Sequence, residues 1–238
     1  MLEKNERMAY WLLKDVNHAI RDYQMIQAGD RVAVALSGGK DSLTLLRLLD
    51  LRRKQAREAY DICAITVLGD ANGPSEHAHQ PLLDWLEQNH YHHTEARFNL
   101  PDGEPIPLDC HRCTWNRRRI LFETASQMGC NVVAMGHHAD DLAQTTLLNL
   151  VFHGRVETME PRREYFDGQI RMIRPLCYLS EAEIRRYARA EGFPPPPPEC
   201  PRSEHSQRKF IAGVLREIDH ECHSARTNLL RAGLLKKS

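Results

Sequence analysis

The stretch Val32-Ala33-Val34-Ala35-Leu36-Ser37-Gly38-Gly39-Lys40-Asp41-Ser42 joins a run of five apolar residues to a glycine turn. The run is too short for a helix and is bounded by glycines, so it reads as a buried strand. Beyond the turn, Leu43, Leu46 and Leu49 recur at helical spacing to about Gln55. Outward from this unit the alternation repeats: strand 62–68, helix 76–89, strand 91–98, helix 117–128, strand 131–135, helix 140–152. Alternating helices and apolar strands imply an α/β fold whose parallel sheet is covered on both faces. Such sheets bind ligands at the carboxyl ends of their strands.

Upstream, Met8, Leu12, Val16 and Ile20 give residues 2–26 the spacing of a helix. After residue 153 the pattern changes. Asp167-Gly168 supplies the turn of a hairpin within 157–174, and Ser180-Glu181-Ala182-Glu183 caps a helix. Pro194 to Pro198 are five consecutive prolines, which must be extended, and a last helical region starts near residue 206. The expected units are a helical extension over 1–28, an α/β domain over 29–177 and a helical region over 178–238.

The 238 residues include 42% apolar side chains, with a mean hydropathy of -0.54. No apolar run approaches the roughly 18 residues of a membrane helix, and the amino terminus lacks a signal core. A cytoplasmic protein with no membrane partner is expected. The 32 basic and 32 acidic side chains cancel, which argues against a uniformly basic nucleic-acid binder. The cancellation hides a split: residues 1–109 carry a net -5 and residues 110–238 a net +5. Of the cations 25 are Arg, whose planar fork suits phosphate and whose face suits base stacking. Arg112, Arg117, Arg118 and Arg119 form one run; Arg185, Arg186 and Arg189 crowd one helix; Arg162, Arg163, Arg171 and Arg174 add to the surplus. Together they are a candidate RNA surface, although a single arginine is more often a solvated charge.

Ser37-Gly38-Gly39-Lys40-Asp41-Ser42 sits between strand and helix. Glycine-turn N–H groups and a helix N-terminus make an anion cradle. Ser37 and Ser42 add hydroxyls, Lys40 adds charge, and Asp41 can hold Mg²⁺. The Walker spacing is absent. The string resembles the signature of the PP-loop ATPase superfamily, which binds ATP and cleaves between the α and β phosphates. A second string, Gly136-His137-His138-Ala139-Asp140-Asp141, leaves a strand and enters a helix. Its carboxylates suit Mg²⁺ or acceptor orientation, or simply a helix cap. G-H-x-x-D-D likewise resembles PP-loop enzymes that modify tRNA.

Seven cysteines with no export signal favour thiol chemistry over a disulfide frame. Cys110-His111-Arg112-Cys113 places two thiols on one centre, with Cys200 far downstream. From spacing alone these three suit a 4Fe-4S cluster, or zinc with His111 or His205 as fourth ligand. Cys63, Cys130 and Cys177 read as core residues. His220-Glu221-Cys222-His223 looks metal-like but has no spacing that unites it with the main site.

Taken together, these motifs resemble the tRNA 2-thiocytidine biosynthesis family over nearly the whole chain. The likeness runs from Asp15 and Gly29-Asp30-Arg31-Val32 through the C-x-x-C with Arg117-Arg118, GHHADDLAQTTLLNL, Ile173-Arg174-Pro175-Leu176, and the late cysteine with Gln207-Arg208. It implies a PP-loop (adenine nucleotide α-hydrolase-like) three-layer fold and a 4Fe-4S cluster on Cys110, Cys113 and Cys200. It further implies ATP and Mg²⁺ as cofactors, and tRNA and a sulfur donor such as a cysteine desulfurase as partners. A homodimer is compatible with it. The implied reaction adenylates the C2 oxygen of a cytidine and then replaces it with sulfur, carried by the iron that lacks a protein thiolate. Lys40, Asp41, Asp140 and Asp141 are the expected catalytic groups with Arg117, and 37–42 with Gly136 the nucleotide site. Two departures stand out: Glu199-Cys200-Pro201-Arg202-Ser203 replaces the usual C-x-x-C-G-S-Q, and Gly69-Asp70-Ala71-Asn72-Gly73 is atypical. The rival readings are thiolation of uridine or a small molecule, a nucleotide-binding iron–sulfur sensor, and a lysidine-type ligase that would not need the cysteines.

Overall fold

In the computed structural model, which describes residues 4–100, 103–198, 200 and 207–235, α1 (Lys4–Asp22) leads into β1 (Arg31–Ala35) and α2 (Lys40–Arg53). There follow β2 (Asp61–Leu68), α3 (Gln80–Gln88), β3 (His93–Arg97), α4 (Cys110–Gln127), β4 (Val132–Ala134) and α5 (Ala139–His153). The hairpin β5 (Arg162–Tyr165) and β6 (Ile170–Ile173) precedes α6 (Glu181–Glu191), α7 (Gln207–Glu221) and α8 (Ala225–Leu234). No helix among the described residues is long and apolar enough to cross a membrane.

The strands form one sheet in the order β3-β2-β1-β4-β6-β5, parallel except for the edge strand β5. Alternation along β1 explains why both faces are covered. Val32 and Val34 pack with α1, α2 and α6, while Ala33 packs with α4 on the opposite face. Leu43, Leu45, Leu46, Leu48 and Leu49 of α2 are all buried, which fits a helix wedged between sheet and outer helices. A smaller apolar cluster joins α5 to α7 through Leu147, Ile211 and Leu215.

The expected strands and helices are present, with one instructive difference. α4 begins at Cys110, seven residues before the expected start at residue 117, so the C-x-x-C occupies its first turn. Asp109 is the reason: its carboxylate accepts the Arg112 N–H at 2.8 Å and caps the helix. A polar first turn carries no apolar periodicity and hid this start. The expected caps are found at Ser180, whose hydroxyl and Glu183 form a capping box, and at Asp167-Gly168 in the hairpin turn.

The amino ends of β1, β4 and β6 are tied together by a polar knot around buried Asp30. Asp30 accepts Nδ2 of Asn131 at 2.8 Å and Nη1 of Arg171 at 2.9 Å, while Asn131 Oδ1 accepts the Arg31 N–H. Arg171 therefore serves the fold and not an RNA surface. Removing one partner of a buried ion pair strands the other charge, which costs about 3–5 kcal/mol. Asp30→Ala is expected to lower the unfolding free energy by that amount in urea denaturation; a loss below about 1 kcal/mol would show that the knot is not a stabilising pair.

Candidate functional site

The strand order reverses direction between β1 and β4, since the chain builds outward through β2 and β3 before returning to place β4 on β1's other side. Both glycine motifs leave the carboxyl ends of these two strands, the place where open α/β sheets bind ligands. A cleft of about 470 Å³ opens there, floored by Ala35, Ile65 and Met135 and edged by Ser37, Asp41, Ser42, Gly136 and Asp141. From the other side α4 contributes Thr114, Arg117 and Arg118, and α7 contributes Arg208.

The loop between β1 and α2 holds its shape through its own serines. Ser42 Oγ donates to the Gly39 carbonyl at 2.9 Å and accepts the Ser37 N–H at 3.2 Å, while Ser37 Oγ accepts the Gly39 N–H at 3.3 Å. Gly38 has φ +80°, a left-handed backbone that glycine adopts freely. Gly136 serves a different need. A Cβ there would lie 3.0 Å from the Ser42 nitrogen and 3.1 Å from the Asp41 carbonyl carbon, so only glycine lets the two loops touch.

The carboxylates are separated by their partners. Asp141 lines the cleft and accepts the His138 N–H at 3.0 Å. Asp140 is turned to the fold: it accepts the Glu181 N–H at 2.7 Å and pairs with Arg226 of α8 at 2.9 Å. Asp41 Oδ1 is buried without a hydrogen bond, with Lys40 Nζ at 3.2 Å. Lys40 also reaches Glu181 at 3.3 Å. His138, itself buried, stands 3.5–3.7 Å from all three carboxylates. An orphaned carboxylate oxygen beside a second carboxylate on the cleft is the donor chemistry that Mg²⁺ takes.

His137 and Arg208 carry no site role in the sequence reading, and Arg118 and Arg174 count there only toward a candidate RNA surface. His137 lines the cleft, and its Nδ1 accepts Arg174 Nε at 3.2 Å. Burial first, then the charges of Arg174 and Arg208, push its pKa down to about 3, so the ring is neutral. Arg174 is buried against His137 and the Glu160 carbonyl, and burial lowers it to about 10. It is an internal group, not part of an RNA face. Arg118 and Arg208 face the cleft directly. Adjacent histidines between a strand-end glycine and an acidic helix start were the available signal for His137; nothing in periodicity marks Arg208.

Arg117 donates to the Gly69 carbonyl at the start of the atypical loop after β2. That loop is pinched by paired Asp70 and Gly73 backbone bonds of 3.0 and 3.1 Å, and a Cβ on Gly69 would meet Phe98 at 2.6 Å. Nearby stand the three cysteines. Burial raises the Cys113 thiol, Arg117 pulls it down, and charge on Cys200, Asp70 and Cys110 pushes it up again. Among the described residues no three His, Cys, Asp or Glu side chains converge on a single-ion site. His205 lies outside the described residues. The His220–His223 string is exposed, with Cys222 Sγ 3.4 Å from Ser224 Oγ.

Cys177 is buried in the core as expected; Cys130 is buried and Cys63 half-buried, their sulfurs 3.5 Å apart. Arg185 is committed to Glu181 at 2.7 Å.

Residues 11–211 match the model of the PP-loop domain family. The chain is 37% identical over 223 residues to the tRNA-cytidine(32) 2-sulfurtransferase of Geobacter metallireducens, covering 91% of this chain and 86% of that one. It is 34% identical over 239 residues to the protein of the same name from Anaeromyxobacter dehalogenans strain 2CP-C, covering 97% and 81%. Its fold superposes on the U34-tRNA thiolase NcsA from Methanococcus maripaludis, solved with its 4Fe-4S cluster, at a TM-score of 0.76 and 22% identity, covering 98% of this chain and 81% of that one. With nucleotide loop, acidic helix start and cysteine helix meeting on one cleft, and with these similarities, the chain belongs to the PP-loop family and, within it, to the tRNA-cytidine(32) 2-sulfurtransferases.

Proposed function

We propose that the chain is an ATP-dependent tRNA sulfurtransferase that forms 2-thiocytidine in the cytoplasm. One observation carries the reading: the phosphate loop and the first turns of the cysteine-bearing helix α4 open on the same cleft, with Arg117 and Arg118 between them.

ATP places its phosphates on residues 37–42, where loop N–H groups, the Ser37 and Ser42 hydroxyls and the N-terminus of α2 meet negative charge. The cytidine enters from an unpaired RNA loop, where its base can be splayed from the stack. Its C2 oxygen attacks the α phosphorus, the bond to the bridging oxygen breaks, and pyrophosphate leaves. Loop amides pre-aimed at that departing charge supply the electrostatic term that is usually largest in such catalysis. Mg²⁺ held by Asp41 and Asp141 would screen the phosphate oxygens. Neutral His137, fixed through Nδ1 by Arg174, has its remaining proton on Nε2 and is a donor, not a base. The adenylated base then loses AMP, with its former C2 oxygen, as sulfur bonds to C2. Cys110, Cys113 and Cys200 would hold the 4Fe-4S cluster, whose open iron supplies a binding place for sulfide. The sulfur donor is free sulfide, or a cysteine desulfurase whose persulfide is reduced to sulfide by two electrons from a thiol that ends as a disulfide.

Pyrophosphate release on mixing the protein with ATP and tRNA, followed by nucleoside analysis of the tRNA, tests the reaction; release without 2-thiocytidine would sink the assigned product. Gly136→Ala is expected to cut pyrophosphate release at least ~100-fold while circular dichroism stays native, because the two loops are forced apart. Near-full release would show that their contact is dispensable. His137 makes the fold less stable on acidification. Its pKa lies below the unfolded value, so the unfolded chain takes up the proton first and stability falls as pH drops from about 6.5 toward 3. Replacing it with Asn is expected to flatten that part of the stability-against-pH curve; an unchanged slope would mean the ring is not buried neutral.

A further inference from the structure

A second concave surface adjoins the cleft and has no part in the phosphate chemistry. It is a groove of about 750 Å³ between α4 and the β5–β6 turn, within the roughly 300–1,000 Å³ of ligand sites. Helical spacing connects the two. Thr114, Arg118 and Leu121 face the cleft, Trp115, Arg118 and Phe122 face the groove, and Arg118 borders both. Arg118 itself makes no hydrogen bond or ion pair among the described residues.

The groove's walls are aromatic and its rim cationic. Trp115 on α4 is 49% exposed and Phe166 on the opposite wall is 57% exposed. Buried Phe122 forms the floor, its ring edge-on to Phe166 at 5.9 Å and tilted against Tyr165 at 5.0 Å. The guanidinium of Arg119 lies 5.7 Å from the Trp115 ring centroid, and that of Arg112 lies 5.2 Å away. Glu123 ties down Arg119 at 3.2 Å. The backbone also holds Phe166 outward at a cost. Asp167 (φ +53°) and Gly168 (φ +86°) are the two left-handed residues that a type I′ turn requires, closed by Gln169 N–H on the Phe166 carbonyl. Phe166 adds a third, at φ +54°, which the turn does not need and a bulky residue rarely adopts. Such strained residues gather at ligand clamps.

We propose that this groove stacks the unpaired bases that flank the target cytidine, with Trp115 and Phe166 as the platforms and Arg118 as the phosphate contact that passes the strand into the cleft. The proposal rests on the tRNA reading above and deepens it. Exposed aromatic faces beside guanidinium planes, continuous with a nucleotide cleft, match the way single strands are held: bases on rings, backbone on cations.

Filter binding of the full-length, cluster-loaded protein to an RNA hairpin with cytidine in its unpaired loop, against a fully paired duplex of the same composition, is the test. Phe166→Ala and Trp115→Ala are each expected to weaken hairpin binding by about 5- to 150-fold, the range of one lost base stack. Trp115→Phe should stay within a few-fold of the parent, and duplex affinity should not move. Affinities within twofold of the parent in both alanine variants, an equal loss on the duplex, or a sulfur-donor protein displaced from the groove with RNA affinity intact would overturn the proposal. Phe166 is exposed and remote from the cysteines, so its variant tests the groove even if Trp115→Ala disturbs α4. A parent protein that binds and thiolates the hairpin while its variants match it defeats the groove alone. A parent that fails to bind the hairpin defeats the tRNA reading itself.

Discussion

The site depends on one close approach: the backbone at Gly136 against the backbone of Asp41 and Ser42. Parallel pairing of β1 with β4 brings two strand ends side by side, but pairing alone leaves a side chain's width between the loops that follow. Glycine removes that width. The N-termini of α2 and α5 then face one cleft, and their orphan N–H groups and positive dipole ends add instead of acting apart. The Asp30–Asn131–Arg171 knot secures the same strands at their other ends. Fixed at both ends, β1 and β4 have little freedom to slide, and a phosphate site made largely of backbone has the rigidity that preorganised electrostatics needs.

Much of this was legible before any coordinate. The five apolar residues from Val32 to Leu36 could only be a strand covered on both faces, and the repeating alternation fixed a parallel sheet. The two glycine strings announced the nucleotide site because backbone chemistry leaves a mark in residue type. What remained illegible was side-chain destination. Asp140 and Asp141 are neighbours in sequence with equal claims, yet one faces the cleft and the other is consumed by Glu181 and Arg226, because successive helix positions lie about 100° apart. Arg171 and Arg174 counted toward a basic surface and are internal. A charge total records how many cations there are, not which are already neutralised within the fold. The start of α4 was missed for a related reason, since a cap works through one carboxylate and not through periodicity.

The charge split therefore has a narrower meaning than a basic half. Arg171, Arg174, Arg185 and Arg226 are taken up by the protein's own carboxylates, carbonyls or His137, and Arg112 by Glu104. Arg118 and Arg208 are the arginines left on the cleft, with Arg117 beside them on the Gly69 carbonyl. Few cations at a focused place suit a substrate that must be positioned to within a bond length, where a broad basic face would hold RNA in many registers.

The proline run lies against the phosphate loop. Proline fixes φ near −65° and loses little entropy on ordering, so residues 194–198 act as a stiff strap of about 3 Å per residue and need no helix or sheet to hold their course. Pro197 crosses directly over the phosphate loop: a Cβ on Gly38 would lie 3.0 Å from its Cδ. The strap leads to Cys200, close enough for its charge to be felt at Cys113. Gly38 thus answers two demands at once, a left-handed turn for phosphate and clearance for the strap. A side chain at position 38 would press on Pro197, so the turn that shapes the phosphate loop and the course of the proline strap constrain each other.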